Sequence, residues 1–92
     1  MQKPLVTIEK WVVVRSVISE SFEELQPGNR LLGYVLGHPN LPHTKLVCTS
    51  PIQSVDFSQG GVVETLNTLY RLGEPSDDYK SWYYKRKSST AA

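Results

Sequence analysis

Prolines and glycines divide this chain into short segments, and this division limits the possible fold more than any other feature of the sequence. Pro27-Gly28, the loop 37–42 with its two prolines, Ser50-Pro51 and Gly60-Gly61 all fall within the first two thirds of the 92 residues. The runs between them are rich in β-branched and other apolar residues, a pattern typical of strands joined by turns. The sequence therefore predicts a mainly β domain.

Five or six short strands are expected from these runs. They cover residues 5–18 (one long strand or two short ones), 30–36, 45–49, 52–57, 62–66 and 69–72. Gly33 lies inside the second run and predicts a bulge or a close backbone approach, and Gly60-Gly61 predicts a hairpin turn that needs positive φ angles. The predicted architecture is a small curved antiparallel sheet or a barrel-like meander.

Two helices are predicted beside the strands. Ser21 and Glu24 fit a capping box, which predicts a short helix near 20–26 that ends before Pro27-Gly28. Near the C-terminus, Ser76 occupies a predicted N-cap position, with acidic residues in the favourable first turn. This second helix places Tyr79, Trp82, Tyr83 and Arg86 at i, i+3, i+4 and i+7. We expect this stripe to plug one end of the sheet rather than to bind a base or a ligand.

The length fits one small domain, expected over residues 1–87 with a disordered tail at 88–92. Cys48 is the only cysteine, so no disulfide can form within the chain, and a cytoplasmic location in a bacterial cell is expected. Glu9 and Lys10 interrupt the apolar N-terminal run, which is unlike a secretion signal. No run approaches the roughly 20 apolar residues of a membrane span.

The net charge of +1 hides an uneven distribution along the chain. Residues 1–79 hold nine acidic and six basic side chains, a net charge of −3. Residues 80–92 hold no acidic side chain and four basic ones, Lys80, Lys85, Arg86 and Lys87. Such a basic cluster is either solvated charge that complements a helix dipole or a small site for phosphate groups. The acidic body favours the first interpretation.

The stretch 38–48 contains both histidines and the cysteine, which raises the question of a metal or nucleophile site. The spacings are His38-x4-His43 and His43-x4-Cys48, without the close ligand pair that commonly seeds a zinc site. A catalytic thiol needs an exposed thiolate beside an oriented imidazole, whereas Cys48 lies in a predicted strand, where a buried and inert cysteine is the usual outcome. The sequence predicts no metal, cofactor or catalytic residue, and hence no enzyme.

One part of the sequence resembles a known group of proteins. The strings GYVLGHPNLPHTKLVCTSPIQSVDF and VVETLNTLYRLGEP are similar to small uncharacterised bacterial proteins of prophages and mobile elements. The matching residues are Gly37, His38, Pro42, Thr49, Ser50, Ile52, Thr65, Asn67, Tyr70, Leu72 and Gly73. The resemblance implies stoichiometric binding to a host defence or regulatory complex, as anti-CRISPR proteins do. Most of these residues are turn and core types, so they bear on the fold more than on the role.

Two functions from different classes follow from the sequence. The first is a non-enzymatic binding protein, a phage or mobile-element accessory factor or inhibitor directed at a host protein or ribonucleoprotein complex. The second is a small β-barrel that binds nucleic acid through strand aromatics and the basic C-terminal segment. The candidate partner-binding residues are Tyr34, Arg71, Lys80, Tyr84, Lys85, Arg86 and Lys87. An exposed strand edge would also allow a homodimer.

Overall fold

The computed structural model describes residues 3–19, 21–37 and 45–91, the side chains of residues 59 and 87–91 excepted. This part of the chain forms a six-stranded sheet and one α-helix. The elements are β1 (Leu5–Val14), β2 (Arg30–Leu36), β3 (Leu46–Cys48), β4 (Ser54–Asp56), β5 (Val62–Glu64), β6 (Leu69–Leu72) and α1 (Asp77–Ala91). The prediction of a small β-rich fold with about six strands and a C-terminal helix is confirmed.

The sheet consists of two three-stranded antiparallel meanders that meet in the middle. Strands follow the order β3-β2-β1-β6-β5-β4, and the central pair, β1 and β6, is parallel. Segment 49–53 carries the chain from one edge of the sheet to the other. Its Thr49 amide donates to Leu31 O and its Gln53 amide donates to Glu64 O, so it ties the two meanders together.

The prediction of an antiparallel sheet was therefore wrong for one pair of strands, β1 and β6, and the barrel-like alternative was wrong as well. The crossover at 49–53 brings the chain back in at the far edge, so that β6 reaches the centre running in the same direction as β1. The sheet is mixed and stays open, with β3 and β4 as its edges.

The short helix predicted near 20–26 was also wrong, because the described residues 21–26 contain no helix. Phe22 instead forms a bridge with Val14, and the Glu23 amide donates to Val13 O over 2.8 Å. These bonds to β1 take the place of helical ones. The Ser21 amide donates to Ser19 Oγ, so the capping box is not formed.

The core lies on one side of the sheet, called here the inner face. The β-branched and aromatic residues that alternate along the strands are buried there, and Ile52 from the crossover and Tyr79 from α1 complete the cluster. Its strand members are Val6, Ile8, Trp11, Val13, Leu31, Val35, Val63 and Tyr70. The opposite side, called the outer face, carries the intervening side chains, including Tyr34 of β2 and Arg71 of β6.

Residues that carry the sequence resemblance hold this fold together. Ile52 and Tyr70 belong to the core, and Thr49 and Thr65 are almost completely buried. The Thr49 hydroxyl accepts from the Leu31 amide over 3.1 Å, and the Thr65 hydroxyl donates to Thr68 O over 3.1 Å. Buried polar groups need such hydrogen-bond partners, so the role of Thr49 and Thr65 here is structural.

The backbone of α1 continues to Ala91, past the boundary predicted at residue 87. The single domain over 1–87 and the disordered tail at 88–92 stay predictions. Within the residues that the structure describes, no helix is both long enough and apolar enough to cross a membrane.

Candidate binding site

A cleft of about 500 Å³ lies where α1, the turn before β5 and the end of β6 come together. Aromatic side chains dominate its walls: Trp11, Phe57, Tyr79, Tyr83 and Tyr84. Its charged lining residues are Glu24, Glu74 and Lys80. We refer to this feature as the aromatic cleft. Its volume lies within the range of ligand pockets, roughly 300 to 1,000 Å³.

A bulge in β1 places Trp11 in the cleft. The register between β1 and β2 shifts between Glu9 and Val12, and Lys10 has a positive φ of 53°. Gly33 faces this bulge so closely that a Cβ atom there would lie 3.0 Å from the Trp11 Cα atom. The close approach predicted at Gly33 is confirmed. The bulge turns Trp11 to the inner face, where its indole N–H donates to Gly73 O over 3.0 Å.

A residue other than glycine in this left-handed backbone conformation is strained by roughly 1–3 kcal/mol, and Lys10 is such a residue. Bulges inside sheets re-aim individual side chains and frequently lie beside functional sites. Here the re-aimed side chain is Trp11, which lies both in the core and in the cleft wall.

Tyr79 forms the fixed wall of the cleft. The Ser76 hydroxyl accepts from the Tyr79 amide over 3.1 Å and caps α1, as the sequence predicts. The Tyr79 ring lies 5.4 Å from Trp11 and 5.4 Å from Phe22, centroid to centroid, and its hydroxyl donates to Glu23 O over 2.6 Å. Burial is the main reason that the Tyr79 pKa lies far above the usual tyrosine range, and the nearby Glu24 carboxylate raises this pKa further. The hydroxyl therefore remains a neutral donor.

Phe57 and Tyr84 differ from the buried aromatics because both are largely in solvent, with 69% and 68% of their surface exposed. Phe57 is held at the start of a 3₁₀ turn, where the Asp56 carboxylate accepts from the Ser58 amide and hydroxyl. Gly60 then ends the turn with a φ of 79°. Two large aromatic side chains thus border the cleft without being covered by the rest of the described chain.

Charged side chains around the cleft are paired with one another. Lys80 Nζ lies 3.1 Å from a Glu74 carboxylate oxygen, and Arg86 lies 3.2 Å from Glu24. The Arg86 guanidinium also stacks over Trp82 at 4.7 Å. The Glu74 carboxylate raises the Lys80 pKa, mainly through their hydrogen bond. Two of the four basic residues of the C-terminal segment are therefore engaged by carboxylates of the same chain.

The predicted partner-binding residues fall into separate groups. Lys80 and Tyr84 line the aromatic cleft, and Lys85 and Arg86 are exposed on α1. Lys87 is part of the helix, but its side chain lies outside the description.

Tyr34 and Arg71 lie elsewhere, on the outer face. Tyr34 pairs with Glu9, and Arg71 pairs with Thr7, so the two residues flank β1 on opposite sides. The sequence alone does not place these two residues on one face, because their spatial relation depends on the parallel pairing of β1 with β6.

The histidine and cysteine hypothesis can be followed only in part. His38 and His43 lie outside the described residues. Cys48 is in β3 opposite Leu32, partly exposed rather than buried as expected. Among the described residues, no three or more His, Cys, Asp or Glu side chains form a group that could hold a metal ion.

The sequence did not single out Trp11, Phe57 or Gly61 as cleft residues. Trp11 belongs to β1, whereas Phe57 and Gly61 belong to the turn before β5, and only the sheet order brings these two segments near α1. The sequence predicts that Tyr79 and Tyr83 belong to a stripe that plugs one end of the sheet. Tyr79 does pack into the core, but both rings also line the cleft. One signal in the sequence does indicate the bulge beside the cleft: Glu9-Lys10 interrupts the apolar strand just before Trp11.

Comparisons with protein-family models, with curated proteins and with solved structures find no match to this chain.

Proposed function

We propose that this protein is a non-enzymatic binding protein that forms a stoichiometric complex with a protein partner through the aromatic cleft. In the setting implied by the sequence resemblance, the partner is a component of a host defence complex, such as a CRISPR-type complex, or of a regulatory complex in the bacterial cytoplasm. The protein would then be an accessory factor or inhibitor carried by a phage or mobile element.

The observation that carries this proposal is the pair of exposed aromatic side chains at the cleft, Phe57 and Tyr84. Aromatic residues anchor protein interfaces because they bury a large apolar area while losing few rotatable bonds. Both side chains lie beside a recess whose other wall is rigidly packed through Tyr79. A rigid recess next to exposed aromatic anchors is what a binding surface requires.

Charge pairing supports a protein partner over a phosphate backbone. Binding of nucleic acid depends on lysine and arginine side chains that neutralise phosphates. Lys80 and Arg86 already pair with Glu74 and Glu24, so a phosphate would have to compete with a carboxylate at each. Direct binding of nucleic acid by the basic segment stays the alternative prediction, as does a homodimer formed through an edge strand.

Affinity capture from a lysate of the native host, followed by mass spectrometry, tests the proposal. The wild-type chain is compared with the double variant Phe57→Ser, Tyr84→Ser and with a matched control, Leu46→Ser. Leu46 is 50% exposed and lies on β3, the sheet edge opposite to β4. We expect a partner in near one-to-one ratio that the wild type and the control retain and the double variant loses.

The alternative predicts a different result from the same lysate. Nucleic acid would co-purify, its binding would weaken steeply as salt rises, and neutralising Lys80, Lys85, Arg86 and Lys87 together would abolish it. Retention of a protein partner by the double variant would contradict the assignment of the cleft as the contact surface.

A further inference from the structure

We infer that the aromatic cleft binds an extended peptide segment in the polyproline II conformation, containing prolines and one flanking basic residue. This inference rests on the proposed function and names the kind of partner segment that the cleft takes. It follows from the composition of the walls, from the charges beside them and from the mode of recognition that they fit.

The composition of the walls favours proline rings over other apolar groups. Grooves that take a helix are hydrophobic grooves filled by anchors spaced along several turns, and strand addition needs an unpaired sheet edge. The aromatic cleft, of about 500 Å³, instead offers the rings of Phe57, Tyr83 and Tyr84, while the buried rings of Trp11 and Tyr79 form its rigid floor. Aromatic-lined grooves are the surfaces on which polyproline II segments dock, because such segments are already extended and lose little entropy on binding.

Helix α1 provides one wall with a regular spacing. Lys80, Tyr83 and Tyr84 stand at i, i+3 and i+4, so they share one face of the helix. Phe57 borders the cleft from the sheet side, and nearby Gly60, which also lines the cleft, has no atom within 4 Å of where a Cβ would lie. A peptide backbone can therefore approach the main chain closely at this turn.

Charges near the cleft favour one basic residue on the peptide. Glu74 forms an ion pair with Lys80, and Glu24 forms one with Arg86. The lining itself carries two carboxylates, Glu24 and Glu74, and one ammonium group, Lys80, and Asp77 lies near enough to Lys80 to act on it electrostatically. A flanking arginine or lysine would complement this excess, and an acidic peptide would be repelled.

The test titrates the full-length protein with a blocked ten-residue peptide in which prolines alternate with leucine and alanine and one arginine lies at the end. Three matched probes accompany it: the same peptide with every proline replaced by glycine, the same peptide with arginine replaced by glutamate, and a ten-residue oligothymidylate. Binding is followed by tryptophan fluorescence and by the NMR shifts of the Trp11 indole N–H and the Gly60 and Gly61 amides.

We expect saturable binding of the proline peptide and at least about tenfold weaker binding of the glycine peptide, since the latter must be ordered on binding. The glutamate peptide should bind less tightly than the arginine peptide. The variant Phe57→Ser, Tyr84→Ser should weaken binding at least about tenfold, in the range of interface hot spots, and Leu46→Ser should leave it unchanged.

Equal binding of the proline and glycine peptides would overturn the inference, as would no saturable response to the proline peptide. Displacement of the peptide by oligothymidylate with equal affinity would assign the cleft to nucleic acid instead. The host capture experiment separates the two proposals. If the captured partner depends on Phe57 and Tyr84 but the proline peptide neither binds nor competes, this inference fails while the proposed function stands. If the peptide binds but no host protein is captured, the proposed function fails.

Discussion

The aromatic cleft and the outer face of the sheet both display aromatic and charged side chains, but they are built in different ways. On the outer face, Tyr34 stands between Glu9 of β1 and Leu46 of β3 in neighbouring strands. Side chains paired across strands lie about 4.5–5.5 Å apart at Cβ and cover one another. In the cleft, residues from β1, the turn before β5 and α1 converge on a recess that none of them fills.

This difference shows how a small domain with one sheet and one helix can form a concave site. A regular sheet presents side chains at fixed spacing, so its outer face is limited to contacts between neighbours. The bulge at Lys10 and the parallel β1–β6 pair break that regularity at one end of the sheet. There the chain leaves β6 at Gly73 and begins α1 against Trp11, so that the helix and this end of the sheet enclose space between them.

The largest expected effect comes from Tyr79→Ala. Tyr79 is only 4% exposed and contacts the rings of Trp11, Phe22 and Trp82. Truncation of a buried aromatic side chain lowers the free energy of unfolding by about 3–5 kcal/mol. Urea denaturation followed by tryptophan fluorescence measures this loss.

Two matched variants sharpen the Tyr79 comparison. Tyr79→Phe keeps the ring and removes only the hydrogen bond to Glu23 O, so its expected cost is about 0.5–1.5 kcal/mol. Tyr34→Ala on the outer face should cost less than Tyr79→Ala, since Tyr34 is only partly buried. An equal loss for Tyr34→Ala and Tyr79→Ala would contradict the view that the cleft wall is part of the core.

Gly33→Val should have the next largest effect, because it tests the bulge that separates the two regions. A Cβ atom at this position would already lie 3.0 Å from Ile8 Cγ1 and from Glu9 O. Overpacking of this kind costs typically about 1–3 kcal/mol. We also expect the Trp11 indole N–H resonance to move, because the backbone of Trp11 lies against the same position.

Gly28→Ala is a suitable control for Gly33→Val. Gly28 has a φ of 95° and no atom within 4 Å of an added Cβ. The Gly28 variant should therefore lose stability through backbone strain alone and leave the Trp11 resonance in place. A Trp11 resonance that is unchanged in Gly33→Val would show that the bulge does not depend on glycine there.

Local turn chemistry explains which parts of the fold the sequence could predict. The bounds of β2 and β6 match the predicted runs at 30–36 and 69–72. Gly60 and Gly61 both take positive φ angles in the predicted hairpin. In each case the deciding interaction lies within a few residues of the chain, so the sequence pattern contains it.

Long-range pairing explains the errors. Ser21 and Glu24 satisfy the local pattern of a capping box, but their segment bonds instead to β1, whose position the pattern does not contain. The parallel alignment of β1 with β6 joins residues more than 60 positions apart. The aromatic cleft depends on that same alignment, and of the predicted contact residues whose side chains the structure describes, Lys80 and Tyr84 alone line it.

A pH titration should distinguish the Lys3–Glu64 ion pair of the sheet from the Lys80–Glu74 ion pair at the cleft. Lys3 Nζ lies 2.6 Å from Glu64 Oε2, and this contact lowers the Glu64 pKa below 4.5. Stabilisation from a carboxyl with a lowered pKa is complete above its unfolded value and is lost as the pH falls through its folded value. At the cleft, the raised Lys80 pKa has the opposite consequence: stabilisation is complete below 10.5 and is lost as the pH rises through the higher folded value.

NMR titration of the Glu64 carboxyl carbon checks the acid half of this prediction. In Lys3→Met we expect the Glu64 pKa to rise towards 4.5, because both the hydrogen bond and the charge that lower it are removed. Ser54→Ala, which removes a weaker hydrogen bond to the same carboxylate, should change the Glu64 pKa less. A larger shift in Ser54→Ala than in Lys3→Met would show that Lys3 is not the main cause.

The smallest expected effect is the loss of stability in Phe57→Ser and Tyr84→Ser. Both side chains are more than two-thirds exposed, so removing them should change the free energy of unfolding by no more than about 0.5 kcal/mol. Chemical denaturation of the two single variants measures this directly, with Tyr79→Phe as a variant that must show a loss. A surface that contacts a partner is expected to carry exposed aromatic side chains that do not stabilise the fold. Phe57 and Tyr84 beside the cleft fit this expectation. Substantial destabilisation in either variant would instead assign that aromatic to the structure of the domain.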